Sequence, residues 1–239
     1  MSKVTIGLDI AKSVFHLVFM NQSGRVLRKK KLRRHQMLSY FSQLEPCIVV
    51  MEACGSCHYW CRELTKAGHE VKAIAPQYVV AYRKGNKHDY NDAEAIAEAS
   101  QREGMRFVPF KSQDQQDIQL MHRIRERMIA QQTALSNQIR GSLAEYDIVY
   151  ARGVATVVKE LPFTLEEADN GLSMLARQLF QGLFNDLLVL RERIKEMDKE
   201  LKAFAQNHPV CERLMSMTGI GPLIATALYA GIRQGQALN

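Results

Sequence analysis

Residues 4–20 read VTIGLDIAKSVFHLVFM, and this stretch decides the fold. Residues 4–9 are apolar but for Thr5 and stop at a carboxylate, Asp9. Val14–Met20 is again β-branched and aromatic, the composition of a pleated, half-buried surface. Residues 21–24, NQSG, carry turn chemistry, so residues 26–34 return as a third strand and complete a meander. Working outward, residues 35–44 read as a helix. Residues 47–51, CIVVM, form the continuous apolar run of a strand covered on both faces, and they end at Glu52. After a loop at 53–56, a helix over about 58–67 stops at Gly68, a C-cap residue. Residues 71–75 are a fifth strand closed by Pro76, and a helix over about 89–103 ends at Gly104. This order predicts a mixed α/β domain with an antiparallel front and parallel crossovers.

The second half has a different period. Residues 112–147 read as helical, with Leu120, Ile124, Met128, Leu135 and Ile139 on one face. Residues 148–163 read as a break containing Gly153 and Pro162. Leu183, Leu187, Leu190, Ile194, Met197, Leu201 and Phe204 then alternate gaps of four and three, a heptad seam. The seam predicts a long antiparallel helical (coiled-coil) arm; it fits an intramolecular hairpin or a homo-oligomer equally. Past the Asn207-His208-Pro209 stop, Gly219 and Gly221 precede an apolar helix. That places backbone N–H groups where phosphate oxygens bind, as in a helix-hairpin-helix module; the bland alternative is a tight turn. The expected organisation is an α/β domain at 1–110, the arm at 111–208 and a short C-terminal fragment at 209–239.

The chain has 239 residues, 46% of them apolar, and only 20 Gly plus Pro, so it carries a core and is neither collagen-like nor disordered. No apolar run approaches the roughly 20 residues of a bilayer span, and no signal segment opens the sequence. Five cysteines, an odd number, indicate reduced thiols. The expectation is a soluble cytoplasmic protein with no membrane partner.

The formal charge of +7 lies wholly in residues 1–110. Arg25, Arg28, Lys29, Lys30, Lys31, Arg33 and Arg34 fall within ten residues that hold no acid. Edge strands are often protected by lysine, but this density exceeds that need and points to a polyanion, with nucleic acid favoured. Tyr82 beside Arg83 and Lys84, and Lys87 further on, extend the basic surface.

Four acids stand out by position. Asp9 ends the first strand, Glu52 ends the fourth, and Asp89 and Asp92 share one face at a helix start. Each alone reads as a turn or helix-start acid. Together, at neighbouring strand ends under one helix, they would repel unless a divalent cation joined them. Oxygen ligation suits Mg²⁺, and a two-metal site serves phosphoryl transfer.

Residues 7–13 (GLDIAKS), residues 51–56 (MEACGS) and the Lys87-x-Asp89-x-x-Asp92-Ala93 stretch resemble the DEDD transposases of bacterial insertion sequences. These are bridge-RNA-guided recombinases related to Piv-like pilin invertases. The resemblance implies a RuvC/RNase H-like first domain. It implies that Asp9, Glu52, Asp89 and Asp92 bind Mg²⁺, with Mn²⁺ as substitute, for DNA strand cleavage and exchange. It further implies DNA and a structured guide RNA as partners, self-association, and a nucleoid-bound bacterial protein. Residues 218–222 (TGIGP) resemble the start of that family's C-terminal domain, where a nucleophilic serine is expected. No serine follows Ser216, so the expectation is a truncated chain that cannot complete recombination alone.

Cys54, Cys57, His58 and Cys61 have the atoms for Zn²⁺ but lack half of a four-ligand site, and they read as packing. The other histidines are scattered and suggest no site. Two alternatives stay open beside the transposase. A nucleic-acid-binding remnant would show salt-dependent binding without cleavage. An actin-like ATPase or sugar kinase would need further glycine-rich phosphate loops.

Overall fold

The computed structural model describes residues 3–83 and 88–231; Lys84 and Lys87 lie outside the described residues. The chain forms two compact units, one ending at Ser112 and one beginning at Gln113.

The first unit is a mixed six-stranded sheet with helices on both faces. Strands β1 (Thr5–Ile10), β2 (Val14–Met20) and β3 (Val26–Arg33) form the expected meander. Strands β4 (Ile48–Glu52) and β5 (Glu70–Ile74) add in parallel beyond β1, giving the order β3-β2-β1-β4-β5-β6. The final strand, β6 (Phe107–Val108), runs antiparallel to β5; two residues carry no readable period, and the sequence did not announce it. The helix expected at 35–44 is a 3₁₀ turn at Arg34–Gln36 followed by the short α1 (Met37–Phe41). Ser39 and Ser42 donate their hydroxyls to backbone carbonyls three residues back, which competes with helix extension. Helix α2 (Cys57–Lys66) follows β4, and a short α3 (Pro76–Val80), also unforeseen, follows β5. Helix α4 (Asp89–Ser100) begins where expected.

Strand alternation sorts the core into two layers. Ile6, Leu8, Phe15, Leu17, Val49 and Met51 face one way and pack with Met37, Phe41, Trp60 and Leu64 under α1 and α2. Val50 and Ile74 face the other way, against Val79 of α3 and Ala95, Ile96 and Ala99 of α4. Gly7 belongs to the α4 side. A Cβ there would lie 2.0 Å from the Ala93 carbonyl oxygen and 2.8 Å from Ala97 Cβ, so the helix rides directly on the β1 backbone.

The second unit is helical. Helices α5 (Gln113–Ala144) and α7 (Met174–Asn207) run antiparallel. Ile139 and Leu143 near the end of α5 meet Phe180, Phe184 and Leu187 near the start of α7, whereas Ile118 meets Leu201 and Ala205 at the opposite ends. Two expectations change here. Leu120 is 54% exposed, and Ile118 takes the inward place. The break at 148–163 is largely a helix, α6 (Val154–Glu166), with Pro162 inside it. Val154, Val157, Val158 and Leu161 keep helical spacing and pack on Ile139 and Leu143. That burial outweighs the hydrogen bond lost at proline. The heptad seam faces inward within this unit: Leu187 and Leu201 are buried and Leu183 and Phe204 pack beside them. Helices α8 (Pro209–Met215) and α9 (Pro222–Gly231) join the Ile118–Leu201 end through Cys211, Leu214, Ala225 and Tyr229. Among the described residues, no helix is long and apolar enough to cross a membrane.

Candidate metal centre

The strand register builds the centre. Asp9 lies two residues beyond Gly7, so its side chain points to the α4 face. His16 of β2 is its cross-strand partner and therefore shares that face. In the parallel pair, Leu8 is registered with Met51. Glu52 is the next residue, level with Asp9, and lies two positions beyond Val50 on the same face. The first turn of α4 supplies Asp89 and Asp92 from above. Three acids expected from sequence are thus placed at one sheet end: Asp9, Glu52 and Asp89.

The tightest group is Asp9, His16 and Asp89, with one ligand atom from each lying within 4.8 Å of the others. His16 Nδ1 is buried and makes no hydrogen bond, with Asp89 Oδ2 3.4 Å away. Burial lowers the His16 pKa most; Asp89 opposes this, and Lys31 and His88 add to it. Tyr90 of α4 makes an edge contact with the His16 ring at 4.7 Å. His88 accepts a hydrogen bond from the Tyr90 N–H and so caps α4 beside the cluster. Glu52 joins through Cys54: burial first, then Cys57, Glu52 and Asp9, push that thiol up to about 11. Asp92 behaves differently. It is 8% exposed and ion-paired with Arg83, so its carboxylate is held from the side by a guanidinium.

These donors fit a divalent cation. Carboxylates are available from β1 and α4, and a buried, unsatisfied imidazole nitrogen stands among them. Sequence reasoning missed His16 because the histidines are scattered along the chain. The usable signal was the short β1–β2 connection, which sets His16 opposite Asp9.

The basic run forms β3, at the sheet edge. Its alternation divides the charges. Arg28 stacks on Phe19 at 4.0 Å and donates to the Tyr40 hydroxyl; Lys30 lies over Tyr40 at 4.1 Å. Lys29 pairs with Glu94 of α4, and Arg34 donates to the Ala11 and Lys12 carbonyls. Arg25, Lys31 and Arg33 are exposed, and Lys31 is the cross-strand neighbour of His16. Gly219, with φ of +89°, and Gly221 form the connection between α8 and α9. Cys57 and Cys61 are buried with their Sγ atoms 3.7 Å apart, and the His58 ring accepts a hydrogen bond from the Lys111 N–H.

Known proteins resemble this chain over most of its length. A family described as DEDD_Tnp_IS110, transposase, matches residues 6–148. The "Probable family 20 transposase" of Pseudomonas aeruginosa is 42% identical over 226 residues, 94% of this chain and 67% of that protein. The transposase for insertion sequence element IS1111A of Coxiella burnetii is 40% identical over 95% of this chain and 62% of its own length. The transposase for insertion sequence element IS1328 of Yersinia enterocolitica is 35% identical over 97% and 68%. The chain thus spans about three fifths to two thirds of the length of these relatives. A family match over more than half the sequence and relatives near 40% identity place this chain in the DEDD_Tnp_IS110 transposase family.

Proposed function

We propose that the first unit is a RuvC/RNase H-like domain that acts on DNA phosphodiesters through a Mg²⁺-dependent carboxylate centre, Mn²⁺ serving as substitute. The observation that carries this reading is the meeting of Asp9 and Asp89 with His16 on the α4 face, with Glu52 at the neighbouring strand end. Asp9, Glu52, Asp89 and Asp92 would hold the ion, which when bound stabilises the attacking and leaving oxygens of phosphoryl transfer. The strands fix Asp9 and Glu52 by backbone pairing, and α4 brings Asp89 to them. Asp92 joins by exchanging its Arg83 partner for the centre. Lys31, on the same face, and the exposed Arg25 and Arg33 draw the nucleic-acid backbone toward the site. Gly219 and Gly221 offer a second backbone grip between α8 and α9.

In the whole-protein reading, the substrate is insertion-sequence DNA, a structured guide RNA is held on the basic surface, and the protein acts in the bacterial cytoplasm at the nucleoid. The helical arm supports self-association, because Leu175, Leu179 and Val189 are exposed on α7. The domain plan that goes with it is 1–110 for the nuclease-like domain, 111–208 for the arm and 209–239 for the hairpin module.

The deciding experiment is Mg²⁺ titration by calorimetry on the full chain and on Asp9→Asn, with nicking of labelled DNA followed in parallel. The expected result is binding that Asp9→Asn abolishes. Equal binding by both proteins would sink the centre, and Asp9-dependent binding with no nicking would leave a nucleic-acid binder.

A further inference from the structure

We infer that His16 is a nitrogen ligand of this centre, which raises the affinity of the site for the substitute ion Mn²⁺ above its affinity for Mg²⁺. The inference deepens the carboxylate reading above and rests on it.

The first support is an unmet need. His16 is 6% exposed, and its Nδ1 is buried without a hydrogen bond. Buried polar atoms are almost always satisfied, and exceptions call for a partner that binds there. The neighbouring groups do not supply one. Asp89 Oδ2 is 3.4 Å from Nδ1 yet makes no hydrogen bond with it, although the two are close. Lys31 stands opposite on β3 and makes no hydrogen bond to Nδ1. Tyr90 meets the ring edge-on and leaves Nδ1 toward the acids.

The second support is spacing. Two ligands each about 2.1 Å from one ion are about 3 Å apart when adjacent and about 4.2 Å apart when opposed. The Asp89–His16 separation of 3.4 Å lies in that range, and the whole Asp9–His16–Asp89 set lies within 4.8 Å. Asp9 and His16 are locked opposite each other by the β1–β2 ladder.

The third support is donor chemistry. An all-oxygen cluster accepts Mg²⁺ and Mn²⁺ alike, whereas an imidazole nitrogen favours the later transition ions in affinity and is a poor ligand for Mg²⁺. A mixed set of carboxylates and one imidazole therefore tilts the centre toward Mn²⁺. A purely structural His16 would pack against Tyr90 and leave selectivity untouched.

The test uses the full chain loaded with Mn²⁺ alone. Pulsed electron paramagnetic resonance reads directly whether a ¹⁴N nucleus is bonded to the ion, with ¹⁵N-histidine labelling as control. The expected result is an imidazole coupling in the native protein that changes with the label. His16→Gln is expected to keep Mn²⁺ binding, lose that coupling, and lower the Mn²⁺-over-Mg²⁺ preference about tenfold. Mn²⁺ bound in an Asp9-dependent way but without nitrogen coupling overturns the inference and leaves the carboxylate centre standing. No Asp9-dependent Mn²⁺ binding at all overturns both. Because the native protein carries the decisive signal, poor folding of His16→Gln does not shield the inference.

Discussion

Gly7 sets the height at which α4 rides over the sheet. The helix backbone occupies the space of a side chain at that position, with the Ala93 carbonyl only 2.0 Å from where a Cβ would be. Both partners are backbone or small and cannot give way. Gly7→Ala is therefore expected to lift α4 and with it Asp89. Overpacking of this kind costs about 1–3 kcal/mol, to be read as a lower denaturation midpoint together with weakened Mn²⁺ binding. A destabilised protein with undiminished cation affinity would show that α4 does not position Asp89. The acids themselves were legible in the sequence because strand ends and a helix start are marked by turns and caps. His16 was not, because its place depends on cross-strand register rather than on any motif. Nor was the Arg83 ion pair of Asp92, because the two residues are joined by packing around α3 and α4.

At the scale of elements, β3 divides its labour. One face lies on aromatic rings, through Arg28 on Phe19 and Lys30 over Tyr40, while Arg25, Lys31 and Arg33 remain exposed. A triple Arg25→Ala, Lys31→Ala, Arg33→Ala variant is expected to fold normally and to bind DNA more weakly across all sequences. Each phosphate contact removed lowers the salt slope of log K by about one. An unchanged slope in a salt series would mean the edge strand does not touch the backbone. β1, β2 and β4 were readable as apolar runs, and β3 and β5 by the turn residues and Pro76 that bound them. Helix α6 was not, since Gly153 and Pro162 imitate loop punctuation while the valines between them keep helical spacing. Gly153, at φ of +122°, is the N-cap of α6, and Pro162 lies inside the helix.

Across the whole molecule, each unit holds a histidine outside the centre whose pKa is lowered by burial. His58 lies in the first, where burial, Lys111 and Arg62 lower its pKa. In the second, His122 is lowered by burial and Arg125, against Glu126, and it hydrogen-bonds Thr226. Both fall below 6.5 in the folded state, so the unfolded chain takes up protons first as pH falls. Metal-free stability is expected to be level above about pH 6.5 and to decline below it toward the folded-state values. Denaturant midpoints at pH 5 to 8 check this, and a midpoint that rises on acidification would contradict it. The topology of the sheet carries one more consequence, for how the protein comes to exist. Asp9 and His16 belong to one hairpin and can meet within microseconds of chain collapse. Glu52 arrives only when β4 closes a long loop to lie parallel to β1, and Asp89 later still along the chain. Closing such non-local contacts is the slow part of folding. Cation affinity should therefore mature after the hairpin signal in refolding, which makes the metal a clock for the last long-range contacts to form.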